Sequence, residues 1–197
     1  MVLPFILLYF FTLPVDLPNA TNTSLYFNIV VKDKIVGSLK AAQNSKGSKT
    51  NYHSSTTIKT RIIKDISVNH RYDVTFVNNI LKKADVNITV NKKPHTKTVT
   101  QWENNRYQVI KNDKNLSVLK DSIDYATILL YFKEPIGVDR CYSEQDGSFN
   151  TIISLGNHMY KKLNSKGKEN VYYYKDGALK KAIIDGGLVD FEITAKD

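Results

Sequence analysis

The chain has 197 residues, 42% of them hydrophobic and 24% charged, a length and balance that suit one domain with a sizeable core and exclude disordered or fibrous classes. Its formal net charge of +9 attracts acidic partners at long range, although lysines such as Lys82, Lys83, Lys161 and Lys162 read as spread over hairpin ends and solvent faces, where they guard strand edges. The single cysteine, Cys141, excludes an intramolecular disulfide and lies too far from the N-terminus to be the lipid-bearing first residue of a mature lipoprotein; its expected role is a small buried residue on a strand.

Val2 to Leu13 is an almost unbroken apolar run, too short for a membrane span and followed by the small and polar Asn19, Ala20, Thr21 and Asn22. It reads as a signal peptide over residues 1–20, ahead of a single β-rich domain over 21–197. A buried N-terminal strand is the alternative, since no Lys or Arg precedes the run. The expected location is the periplasm or cell envelope, where anionic components are the natural partners of a basic protein.

From Ser24 the pattern is that of strands. Ser24 to Lys32 and Ile35 to Ala42 form a hairpin turned at Asp33-Lys34, with Gly37 marking a bulge or close approach. Tyr52 to Ile63 alternates, and Ile66 to Asn78 does so more cleanly, placing Ile66, Val68, His70, Tyr72, Val74 and Phe76 on one face. Ile80 to Val90, Thr96 to Glu103, Arg106 to Lys111 and Leu116 to Leu119 follow. Later strands, Val138 to Ser143, Phe149 to Leu155, His158 to Leu163, Asn170 to Tyr174, Ala178 to Ile184 and Leu188 to Thr194, are separated by hairpin links such as Asp146-Gly147 and Asp176-Gly177.

Between the two runs of strands, Ser122 to Lys133 reads as the one helix, about 18 Å long at 1.5 Å per residue. Asp121 or Ser122 would cap it, and Pro135 with Gly137 would end it. Tyr125, Ile128, Leu129 and Phe132 share a face, and Ala126, Leu130 and Tyr131 widen the apolar arc, so the helix needs cover on more than one side. The expected fold is therefore all-β and mainly antiparallel: a long curved meander or barrel-like sheet of roughly ten to twelve strands, with the helix at about 122–133 packed on its concave side.

The run Tyr125, Ala126, Thr127, Leu129, Leu130, Tyr131, Phe132, Glu134, Pro135, Gly137, Tyr142, Ser143 and Glu144 resembles the signature of an uncharacterised family of exported antiparallel β-sheet proteins from Bacteroidota, a domain of unknown function. The opening hairpin with Val36-Gly37 and the Tyr-rich strand before Asp176-Gly177 are similar to it too. The resemblance implies an envelope protein of many strands and one helix, with no activity or catalytic residue to transfer.

No sequence motif specifies a reaction, metal or cofactor. His53 and His70 could meet on adjacent strands, which leaves an incomplete metal site. Glu134 and Glu144 could approach across the turn as an acid/base pair, or simply bond loop amides. Alternation sends Tyr172 and Tyr174 to one face and Tyr173 to the other, so no base-stacking platform forms and nucleic acid is not an expected partner. The leading reading is an exported protein that holds a lipid-like amphiphile between sheet and helix, with Tyr125, Leu129, Leu130, Phe132, Glu134, Pro135, Gly137, Tyr142 and Glu144 as ligand-binding candidates and the Glu134 turn at the entrance. A structural or assembly protein of the envelope with a solid core is the alternative, and a hydrolase-like enzyme using Glu134 or Glu144 is third.

Overall fold

The computed structural model describes residues 20–60, 66–186 and 190–196. The expected signal peptide, Arg61 to Ile63 of the third expected strand and Leu188 and Val189 of the last lie outside the described residues. Among the described residues, fourteen strands form one antiparallel sheet. In chain order they are β1 (Thr21–Val31), β2 (Lys34–Lys46), β3 (Lys49–Thr60), β4 (Ile66–Val77), β5 (Ile80–Val90), β6 (Lys93–Glu103), β7 (Arg106–Lys111), β8 (Lys114–Leu119), β9 (Arg140–Ser143), β10 (Ser148–Gly156), β11 (Met159–Leu163), β12 (Glu169–Lys175), β13 (Ala178–Ile184) and β14 (Phe191–Ala195). Every strand read from the sequence is present, so the expected total of ten to twelve was too low.

The order across the sheet is β8-β7-β6-β5-β4-β3-β2-β1-β14-β13-β12-β11-β10-β9: two meanders joined where the first strand pairs the last, with Ile29 opposite Ile193. Tight turns make the meanders possible. Two consecutive left-handed residues recur at the hairpin tips, as in Lys32-Asp33 (φ 47 and 61), Asn78-Asn79 (50 and 60) and Asn104-Asn105 (49 and 59). That backbone matches the natural twist of paired strands, and Asn and Asp tolerate it best. The first turn thus sits one residue earlier than Asp33-Lys34. Gly37 is required for a different reason: a Cβ there would stand 2.1 Å from the Thr57 carbonyl oxygen, so only glycine lets β2 and β3 close at that point.

The expected α-helix is absent. In its place a five-residue 3₁₀ turn, η1 (Thr127–Tyr131), follows an extended stretch. Tertiary partners consume the backbone groups a helix would need: the Ile123 amide donates to the Tyr107 hydroxyl (3.2 Å), the Ile123 carbonyl accepts from Leu81 (2.8 Å), and the Tyr125 carbonyl accepts from Tyr142 (2.9 Å). Ala126 is fully extended (φ −135, ψ 164), and Asp121 is occupied by Arg140 at 2.9 Å rather than capping anything. Ile123, Thr127 and Ile128 are β-branched and resist helix weakly; these fixed partners decide the matter.

The apolar character expected of the segment holds, and its expected geometry does not. Ile123, Tyr125, Ala126, Ile128, Leu129 and Leu130 are all buried. Strands β3 and β13 both touch η1, as does β9, which is eight places from β3 in the sheet order. Eight spacings of about 4.8 Å would put β3 and β9 roughly 38 Å apart in a flat sheet, far beyond the reach of a 10 Å turn. The sheet must therefore curl around η1. Its two ends approach each other across the inside of the curl: Thr98 Oγ1 of β6 donates to the Gln145 carbonyl (2.9 Å), Thr100 Oγ1 of β6 and the Tyr142 hydroxyl of β9 lie 2.7 Å apart, and Gly147 packs against Val109 and Leu116.

Candidate functional site

One end of the curled sheet encloses a cavity of ≈ 480 Å³, within the roughly 300–1,000 Å³ usual for small-molecule sites. Its walls differ in chemistry. Inward residues of β14 and β1 to β5 make an apolar side that includes Ile193, Val31, Leu39, Ile58, Val68 and Ile88, while β9 to β12 and the turn after β11 supply Ser143, Asn150, Lys162, Asn164 and Asn170. Thr127 and Tyr131 of η1 close the inner end.

Strand alternation explains how charge enters this interior. On β11 the inward positions are Tyr160 and Lys162, and on β10 they are Asn150 and Ile152. Lys162 is 7% exposed and its ammonium donates to Thr127 Oγ1 at 3.1 Å. Thr127 Oγ1 in turn donates a hydrogen bond to the Tyr142 carbonyl at 3.2 Å. An ammonium carries three donors, so among the described residues two find no protein partner, and no carboxylate there lies in ion-pair contact with Lys162. Asn150 is 4% exposed and its Oδ1 has no hydrogen-bond partner among the described residues.

Glu144 stands on the other side of Thr127. It is fully buried, and its carboxylate accepts the amides of Thr127 (3.0 Å) and Ile128 (2.9 Å), holding the start of η1. Burial pushes its pKa up, against the opposing pull of those amides and of the Lys162 charge. On the apolar side, burial and then the nearby His95 lower His70 to about 4, so its imidazole is neutral at neutral pH. At the rim, Lys168 pairs with Asp185 (3.1 Å) and Lys111 with Asp146 (3.7 Å).

A family model described as a domain of unknown function, DUF6134, matches residues 27–196. The chain belongs to the DUF6134 family. No curated protein matches it. Among solved structures this DUF6134 chain is similar to the crystal structure of a β-barrel-like protein of the domain of unknown function DUF1849 from Brucella abortus, with a TM-score of 0.53 and 10% identity over 93% of this chain and 98% of that one. At that identity the likeness concerns the fold alone, and it fits the curled antiparallel sheet described above.

The nine residues singled out from the DUF6134 sequence lie beside the cavity or at the opposite end of the sheet, and none of them lines it. Leu129 and Leu130 are core residues, and Phe132 packs on Tyr52 with ring centroids 5.2 Å apart. Tyr125 donates to the Lys133 carbonyl. Tyr142 and Glu144 support η1 from β9 and its turn. Pro135 is buried, Gly137 is an exposed left-handed residue (φ 70), and Glu134 accepts from the Tyr160 hydroxyl (2.7 Å) and contacts His158 Nδ1 (2.9 Å). Those partners belong to the start of β11, whereas Lys162 and the cavity belong to its end.

Burial works to raise the pKa of Glu134, but the Tyr160 and His158 bonds and the histidine's charge outweigh it and leave the carboxyl lowered. Glu134 and Glu144 thus serve separate structures and share no partner. The two histidines considered together also separate: His53 lies opposite Asp73 in the β3–β4 register and bonds it at 2.7 Å, while His70 projects from the other face into the cavity. No cluster of three metal-binding side chains occurs among the described residues.

Sequence reasoning missed Lys162 and Asn150. The signal for Lys162 was its parity: two residues from Tyr160 on a short alternating strand, it must face the same side as a residue that reads as core. Asn150 gave the same hint through Ile152.

Proposed function

We propose that this DUF6134 protein is an exported carrier or binding module for a lipid-like amphiphile, held inside the curled sheet at the end lined by Lys162 and Val68. The observation that carries this reading is the ≈ 480 Å³ cavity with one apolar and one polar wall. An apolar chain gains by leaving water for the first wall, at roughly 25 cal/mol per Å² buried, and a polar head finds donors and acceptors on the second. Export is proposed on the apolar run Val2 to Leu13, and the net charge of +9 suits approach to anionic envelope surfaces.

The solid-core structural reading has less support, because an interior of that volume with an unpartnered amide oxygen is not close-packed. Native mass spectrometry of protein purified gently from its own envelope is expected to show a bound species of lipid mass, and Val68→Trp, which fills the apolar side, is expected to lower its occupancy. Protein that carries nothing and whose melting temperature Val68→Trp lowers by overpacking would return the structural reading to first place.

A further inference from the structure

The amphiphile reading leaves the polar end of the ligand open, and the cavity itself narrows it. We infer that Lys162 and Asn150, with Thr127 holding the ammonium in place, form a head-group subsite for a carboxylate, so that the ligand class is a single-chain fatty acid or a similar monocarboxylate. This inference rests on the cavity being a ligand site.

Three observations converge on the same corner. Lys162 and Asn150 are diagonal neighbours on the inward face of β10 and β11, since Ile152 pairs with Lys162 and Asn150 lies two residues before Ile152. The ammonium keeps two donors beyond its 3.1 Å bond to Thr127, although a buried cation is costly unless its donors are satisfied. Asn150 lines the cavity at 4% exposure: its amide oxygen is buried without a partner among the described residues, while its NH₂, bonded to no described residue, can donate to a ligand. A carboxylate offers two oxygens with several lone pairs, enough to take both spare ammonium donors and the amide.

The charge inventory favours a monoanion over a phosphate. Of the lysines that line this end of the sheet, Lys168 and Lys111 are matched by Asp185 and Asp146 and Lys166 is exposed at the rim, which leaves Lys162 as the buried cation among the described residues. Glu144, buried on the far side of Thr127, adds to the cost of the extra charge that a dianion would bring. The apolar wall then receives the chain: Val68, Ile88 and Ile193 lie across the cavity from the head-group corner.

The test is calorimetric titration of the stripped full-length mature protein with dodecanoic acid, dodecan-1-ol and dodecyl phosphate at neutral pH. The acid is expected to bind at least about tenfold more tightly than the alcohol, the scale of a charge-assisted hydrogen bond inside a protein. Lys162→Met is expected to erase that preference while leaving the alcohol's affinity within about twofold. Equal binding of acid and alcohol, or a preference that survives Lys162→Met, overturns the subsite and leaves the amphiphile reading standing. Tighter binding of dodecyl phosphate than of the acid overturns the choice of carboxylate. No binding of any of the three by folded protein overturns both readings. Should Lys162→Met fail to fold, the ratio of acid to alcohol in the unaltered protein decides the matter, with Asn150→Leu as the second variant, expected to weaken the acid alone.

Discussion

Glu144 gives the sharpest stability prediction, because a single fully buried carboxylate accepts two backbone amides that have no other acceptor to turn to. Glu144→Leu orphans the amides of Thr127 and Ile128 together. At about 1–3 kcal/mol for each buried unsatisfied donor, the loss is about 2–6 kcal/mol against a total of about 5–15. Glu144→Gln keeps one acceptor oxygen and turns its NH₂ toward the other amide, so it should cost about half as much. Its effect also depends on pH. Because burial raises the folded-state pKa of Glu144, the carboxyl adds most to stability below its unfolded pKa, and that contribution declines as pH rises toward the folded value. Glu144→Gln should therefore compare worst with the parent in acid and best above that window. Urea unfolding of parent, Gln and Leu proteins across pH 4 to 8, an interval of about four units around the ordinary carboxylate and histidine range, measures all of this. Equal midpoints for the Leu and Gln variants would show that Glu144 does not hold η1, and the reasoning would fail.

Three further outcomes follow from other sites. Glu134 has the opposite linkage: its lowered folded pKa supplies stability above the unfolded pKa that is lost as pH falls through the folded value, so Glu134→Gln should be destabilising at pH near 7 and neutral in strong acid, and a constant difference across that range of denaturation curves would refute it. Gly37→Ala places a Cβ 2.1 Å from a backbone oxygen and should cost about 1–3 kcal/mol or more, read as a fall in melting temperature; an unchanged midpoint would mean β2 and β3 can part there freely. Cys141 is fully buried and its thiol is pushed up to about 12, so iodoacetamide should label it only after unfolding, and rapid labelling of native protein would contradict its place in the core.

The strands were legible because their signals are local: period-two alternation, as in Val68, His70, Tyr72 and Val74, and turn pairs such as Asn104-Asn105 that accept a left-handed backbone. The Ser122 to Lys133 segment was misread because its local signals, a cap candidate, an apolar arc and a proline stop, all suit a helix, whereas its conformation is imposed by Leu81, Tyr107 and Tyr142, which are distant in sequence. The site was the least legible part. Lysines in a basic chain default to the surface, and the burial of Lys162 follows only once β11 is placed beside β10 with Tyr160 facing in.

The pairing of β1 with β14 has a consequence for how the chain is made. Each meander consists of neighbours in sequence and can assemble hairpin by hairpin, but the strand that covers the open side of β1 is synthesised about 160 residues later. At roughly 5–20 residues per second that delay is about 10–30 s. Throughout it, the backbone groups of Phe27 to Val30 face outward with no strand to receive them, a template for wrong partners. Loss of β14 would leave that strand bare permanently and cut the sheet in two at its middle.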